Sequence, residues 1–400
     1  MGPILEQNTL YKVLYQFLDG LFPAWLAYAV TALVLVGVLA NVVLVVTALF
    51  TWVERRLLGR FQHRIGPNRW GPYGMLQPFA DALKLLFKED IVPKEADRWV
   101  FSLAPLVLFT PVLIMVAVIP FGEGTYLVDL NVGVLFVVAM GTVETLGFFM
   151  AGWGSGNRYA LLGAMRAVAM LVSYEVPLVL SLVGVLLLAG SMSLVGVVEA
   201  QRLPFILLQP LGFFVFLVAS IAEMNRPPFD LMEAESELVA GYHTEYSGMK
   251  FGVLQLAEFL SPVVASGFVT ALFLQGWVGP HFTVLGVPVP PSQVWFLLKW
   301  MAVLFVIVWV RATVPRLRID QVLAFAWKFL FPLSLFNIVL TAVEVLLLPE
   351  PSLGQLWLLV GVNITVGLGA MLVLANLQGH RRLQPSAPLP PPVTLPQEVR

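Results

Sequence analysis

Long apolar runs, nearly free of charge, alternate along the chain with short polar connections. Nine such runs lie near residues 25–53, 100–120, 132–153, 160–190, 205–223, 252–275, 294–312, 327–348 and 356–377. Each approaches or exceeds the roughly 20 apolar residues that cross a bilayer core. The pattern predicts an all-α polytopic membrane protein with about nine transmembrane helices. One shorter segment differs. In "LQPFADALKLLFKED", Phe79, Leu83 and Leu86 share one helical face, while Asp81, Lys84 and Lys88 share another. At about three turns it is too short to span, so it should lie in the interface plane, either as a surface anchor alone or to help frame an opening from the lipid. The organisation expected is an N-terminal segment over 1–24, a single transmembrane domain over 25–377 and a Pro-rich disordered tail over 378–400. No signal-peptide cleavage pattern and no internal repeat is visible.

Charge then orients the spans. Charged residues are 12% of the chain, about half the ~25% usual in soluble domains. The connection over 54–98 holds nine Lys/Arg, and connections on the same side add Arg158, Arg226, Lys250, Arg311, Arg316, Arg318, Arg381, Arg382 and Arg400. The other side holds only Lys12 and Arg202. By the positive-inside rule the N-terminus faces out and the C-terminus faces the cytoplasm. The chain has no cysteine and four histidines, none mid-span, and no P-loop or dinucleotide fingerprint; "GWGSGNRYALLG" has the wrong spacing. We therefore expect no metal, flavin or iron–sulfur cluster bound by this chain alone, and no nucleic-acid partner.

Two cytoplasmic connections are chemically rich. "RIGPNRWGPYG" combines glycines with two prolines in a stiff surface turn that bears Arg64, Asn68 and Arg69; it suits either anionic lipid headgroups or a docking soluble partner. "AEMNRPPFDLMEAESELVAGYHTEYSGMK" holds six of the 24 acids of the chain, with Arg226 and Lys250 as its only bases. Arg55, Arg64 and Arg69 are candidate sources of the missing positive charge. Inside the spans lie Glu144, Glu175, Glu258 and Glu344. Ionisable groups in hydrocarbon are costly and mark function by default. Glu344 is near an outer end and should snorkel, and Lys299 should likewise reach back to the outer interface. At 1.5 Å per residue, Glu258, Glu144 and Glu175 fall roughly 10, 14 and 22 Å below the cytoplasmic surface, with Glu223 at the surface end of its span. Each has a structural alternative, a pair with a neighbouring polar group, but three at graded depth favour a polar path. No comparable carboxylate series continues through the outer half.

Together "WVERRLLGRFQHRIGPNRWGPYGMLQPFADALKLLFKED" and the acidic run resemble the H-subunit family of proton-pumping NADH:quinone oxidoreductase, respiratory complex I. The resemblance covers roughly residues 40–350; Met232 stands where the family usually has Pro. It implies a subunit of an enzyme complex in the bacterial plasma membrane, with quinone as substrate. It implies that Glu54, Arg55, Arg64, Asp81, Arg226, Asp230, Glu233, Glu235 and Glu237 line or flank a quinone chamber. Glu223, Glu258, Glu144 and Glu175 would begin a chain of charges coupling quinone reduction to proton translocation. The implied partners are a soluble subunit carrying the terminal iron–sulfur cluster and antiporter-like membrane subunits. A membrane-bound hydrogenase subunit and a stand-alone proton or ion transporter are the alternatives; co-purifying iron–sulfur and flavin subunits would set the first reading apart from a transporter.

Overall fold

The computed structural model describes residues 9–19, 23–232, 239–280, 282–284, 287–289, 291–349 and 351–382. Glu233, Glu235, Glu237 and most of the Pro-rich tail lie outside the described residues. In chain order the helices are α1 (Thr9–Asp19), α2 (Ala24–Phe61), α3 (Gln77–Phe87), α4 (Arg98–Val116), α5 (Gly133–Gly154), α6 (Arg158–Ala189), α7 (Leu194–Ala200), α8 (Phe205–Leu208), α9 (Pro210–Glu223), α10 (Gly248–Phe273), α11 (Ser292–Thr313), α12 (Ile319–Phe325), α13 (Phe331–Leu347) and α14 (Leu353–Arg382). A π-helical turn, Ala326–Leu330, joins α12 to α13. Outside the helices, β1 (Phe282–Val284) and β2 (Val287–Val289) pair antiparallel in a small hairpin, an addition that leaves the all-α class intact.

Among the described residues, eight helices are long and apolar enough to cross a membrane: α2, α4, α5, α6, α10, α11, the joined α12–α13, and α14. The fifth apolar run, 205–223, is broken. Pro210 brings no backbone N–H to a helix, and the chain leaves helical geometry at Gln209, with φ −130° and ψ 62°. The remaining piece, α9, has 14 residues, about 21 Å of helix, less than the ~30 Å hydrocarbon core.

α10 and α6 form the centre, with 72% and 50% of their apolar windows buried, against 17% for α2 and α14 at the periphery. α6 packs on α5, α9 and α13; α10 packs on α4, α11, α2 and α3. Where α5 crosses α4, Gly147 permits close approach, since a Cβ there would lie 2.9 Å from the Leu108 backbone. Hydrogen bonds tie the connections together on each face. On the polar-loop face the Asp97 amide donates to the Gly154 carbonyl (3.0 Å) and the Leu317 amide to the Pro228 carbonyl (3.1 Å). On the opposite face the Gln275 side chain donates to the Gln201 carbonyl (2.9 Å), and the Ser193 hydroxyl donates to Asp129 (2.6 Å).

α3 is the expected amphipathic helix. Its apolar stripe Phe79, Leu83 and Leu86 is 45%, 55% and 58% exposed, as suits a face turned to lipid. Lys299 extends toward the opposite face, where its ammonium donates to the carbonyls of Leu274, Gly276 and Val278. Glu344 does not simply snorkel: it accepts a hydrogen bond from Asn363 of α14 (3.2 Å).

Candidate functional site

After α9 the chain turns back into the protein instead of running out to the surface. Asn225 takes a left-handed conformation (φ 52°), and the Phe229 amide closes the turn on the Arg226 carbonyl (2.9 Å). Asn225, Arg226, Phe229, Leu231 and Met232 are all buried. Irregular backbone at membrane depth survives only when enclosed by protein or lining a cavity, and this turn is enclosed.

The turn delivers Arg226, 2% exposed, to a four-charge cluster. Its guanidinium lies 3.3 Å from Glu54 of α2 and 3.6 Å from Glu258 of α10. It also donates to the Glu258 carbonyl (3.2 Å) and stacks over the Phe259 ring at 4.8 Å. Arg311, at the end of α11, makes a second ion pair with Glu54. Two carboxylates and two guanidiniums compensate one another, which such burial requires. Glu54 Oε2 and Arg226 Nε nevertheless have no partner among the described residues. Arg311 served the sequence reading only as a topological charge. Its pairing was invisible there because it depends on α11 packing beside α2.

Beyond the cluster, α10 carries Ser261 one turn past Glu258. Its hydroxyl donates to Glu144 of α5 (3.2 Å). Glu144 and Glu223 line one cavity of about 60 Å³ with Ser220 and Ser261, room for water. Glu223, the last residue of α9, does not lie at the surface. It faces Gly141, where a Cβ would meet its Oε1 at 2.6 Å; Gly141 is thirteen residues in from the end of α5, roughly 20 Å along that helix. The sequence reading assumed a full-length fifth span, and the shortness of α9 overturns that. Glu144 and Glu223 are close enough to repel, as are Glu223 and Glu175. Glu175 accepts a hydrogen bond from Thr142, on α5 next to Gly141. Thus Glu258, Glu144, Glu223 and Glu175 lie one after another, with Ser261 bonded to Glu144 and Thr142 to Glu175, two contacts that sequence reasoning passed over.

Arg55 and Asp81 meet at the rim. Arg55 donates to Asp81 at 2.6 Å, linking α2 to α3. Partial burial would raise the Asp81 pKa, but hydrogen bonds from Arg55 and Gln77 and the charges of Arg55 and Lys84 outweigh it and hold the carboxyl below its ordinary value. The turn over 64–74 is fastened to α2. Trp52 and Arg56 both donate to the Tyr73 carbonyl (3.0 Å each), with the Arg56 guanidinium 4.9 Å over the Tyr73 ring. Gly74, at φ 78°, is required: a Cβ there would come within 2.3 Å of the Pro67 carbonyl oxygen. Arg64, Asn68 and Arg69 are exposed on this turn and do not enter the buried cluster; the Arg64 guanidinium donates to Gln62 (2.7 Å). Among the described residues of the acidic run, Asp230 lies 3.9 Å from Arg316, and Lys250 pairs outward with Asp90 (2.9 Å).

With that geometry in place, similarity to known proteins becomes informative. The family model described as NADH dehydrogenase matches residues 33–342. The H subunit of NADH-quinone oxidoreductase from Dehalococcoides mccartyi (strain CBDB1) is 56% identical over 344 residues, covering 86% of this chain and 94% of that protein. The chain belongs to the H-subunit family of NADH-quinone oxidoreductase. Proteins of the same name from Geobacillus kaustophilus (51% identical over 327 residues, 80% of this chain and 96% of that protein) and Thermomicrobium roseum (51% over 329 residues, 77% and 94%) are similarly close. As a member of the H-subunit family it is a multi-pass membrane component of an oxidoreductase complex.

Proposed function

We propose that this subunit forms the membrane floor of a quinone chamber in a proton-pumping NADH:quinone oxidoreductase of the bacterial plasma membrane. In this reading its carboxylates pass the electrostatic consequence of quinone reduction sideways, toward antiporter-like membrane subunits. The observation that carries the reading is the series of charged side chains from the Glu54–Arg226–Arg311–Glu258 cluster past Ser261 to Glu144, Glu223 and Glu175.

Reduction of a quinone takes two electrons and two protons, and the electrons come from a soluble partner's terminal iron–sulfur cluster. The exposed Arg64, Asn68 and Arg69, held on a stiff turn, offer that partner a docking surface. α3, with its apolar face to lipid and its Arg55–Asp81 tie to α2, frames the way in for an isoprenoid tail. A charge change above the cluster acts on Arg226, which is bound to two carboxylates on two different helices. Weakening either bond alters the field at Glu258, and Ser261 connects that helix to Glu144. In a water-poor interior such fields act strongly over these distances. The positive-rich polar-loop face is the cytoplasmic one in this scheme, with the N-terminus outside.

The experiment is to purify the complex with Arg226→Gln and measure NADH:quinone reduction and proton uptake together. Loss of both, with the soluble subunits still attached, fits the proposal; a variant with normal quinone reduction and normal pumping contradicts it.

A further inference from the structure

α1 plays no part in the quinone-chamber reading. It precedes residue 33, where the match to the family model begins, and its described side chains fall on three flanks. One flank packs on α2. There Tyr11 is buried, stacked on Tyr15 at 5.7 Å and set edge-on to Tyr28 of α2 at 6.1 Å. Ala27 and Thr31, on either side of Tyr28 in α2, are fully buried. A second flank is apolar and uncovered. Val13 and Phe17, four residues apart and so neighbours on the helix surface, are 67% and 72% exposed. The third flank is polar: Lys12 and Gln16 are exposed, about 100° round the axis from the apolar pair.

A helix with one bare apolar flank and one bare polar flank is stable where hydrocarbon meets water, with its axis along the boundary. In water Val13 and Phe17 would be wetted, and in hydrocarbon the Lys12 ammonium would lose its solvent. Two further observations put such a boundary at α1. Tyr11, Tyr15, Phe17, Trp25 and Tyr28 gather within eighteen residues, and Trp and Tyr concentrate at membrane–water interfaces. The bare apolar flank is also continuous along the chain with the outward surface of a span, since Trp25, Leu33 and Val36 of α2 are 71%, 75% and 63% exposed. The apolar run of α2, residues 25–53, is roughly 43 Å long against a core of ~30 Å, so α2 has to lean. Interfacial aromatic and basic residues are what fix such a lean.

We propose that α1 is an interfacial anchor whose partner is the lipid surface. It lies in the plane of the leaflet opposite the polar loops, with Val13 and Phe17 among acyl chains and Lys12 among headgroup phosphates. It thereby holds the tilt of α2 from the end opposite Glu54. This goes beyond the quinone-chamber reading and does not depend on it.

The test uses the intact complex in nanodiscs made with a phospholipid that carries a photoactivated diazirine midway along one acyl chain. After irradiation, lipid adducts are mapped by peptide mass spectrometry. Val13 and Phe17 should carry several-fold more adduct than Gln16, at a level near that of Leu33 in α2. An α1 without adducts overturns the anchor, because it then sits in water or beneath another subunit. Equal labelling of both flanks also overturns it, because the helix is then immersed in hydrocarbon. A second arm uses Phe17→Asp, a change at an exposed position. In the assembled variant, labelling of Val13 should fall several-fold as the charge draws the flank out of the acyl region; unchanged labelling of Val13 contradicts the proposal. If that variant does not assemble, the native labelling pattern decides alone. A complex that reduced no quinone would label in the same way, so the two readings fail separately.

Discussion

Removing the Arg226 guanidinium would leave Glu54 and Glu258 buried without their shared counter-charge. Breaking a buried pair in this way typically costs about 3–5 kcal/mol. Arg226→Ala should therefore lower the thermal stability of the complex strongly or prevent assembly. Arg226→Lys, which keeps the charge but loses the planar fork, should fall between it and the native protein. Differential scanning fluorimetry of the purified complexes ranks the three. A subtler residue-scale effect concerns Gly141. A methyl there meets Glu223 Oε1 at 2.6 Å, so Gly141→Ala should displace that carboxylate and reduce proton pumping. Gly361→Ala, where a Cβ meets nothing within 4 Å, should pump normally; comparing proton uptake of the two variants checks this. The individual acids were legible in the sequence because a charge inside an apolar run stands out. Their bridges were not, since Ser261 and Thr142 look unremarkable in a helix and gain meaning only from the facing chain. Gly141 was invisible for the same reason.

Among the elements, α3 shows how much a local pattern conveys. Its two faces and its three-turn length were readable from spacing alone, and the Asp81–Arg55 tie explains why it stays on the rim. The sign of its pH dependence follows from Asp81. Because the folded-state pKa of this carboxyl is depressed, the tie is fully present above the ordinary aspartate value and is lost as pH falls through the lower folded value. Amide protection factors across 77–87, that is, exchange corrected for its intrinsic pH dependence, should therefore be flat from neutrality down to about pH 4 and fall only below it. Asp81→Asn should show the lowered protection already at neutral pH. The partly exposed pair predicts a modest loss of protection. The fifth span was the element that the pattern misjudged. An apolar run over 205–223 satisfies a hydropathy window whether or not it is continuous, and the interruption rests on Pro210 and on side chains of α13 and α14 that bond at the break. From that one break follow the short α9, the inward turn after it and the depth of Glu223.

On the scale of the whole molecule, the charge asymmetry between faces oriented the chain, and the two polar loops alone suggested the family to which it belongs. What no linear reading could supply is continuity. Four carboxylates assigned to separate depths on separate helices become one series only when α5, α6, α9 and α10 pack together and the turn at Arg226 ties the series to α2 and α11. The central claim is that this series carries charge from a quinone chamber toward neighbouring subunits. Glu175, at its far end, is the residue whose loss should separate the two halves of the work. The direct measurement is the number of protons translocated per NADH oxidised by a reconstituted Glu175→Gln complex. The account predicts a ratio well below that of the native complex, with quinone reduction impaired less than pumping; a Glu175→Gln complex that pumps at the native ratio would contradict it.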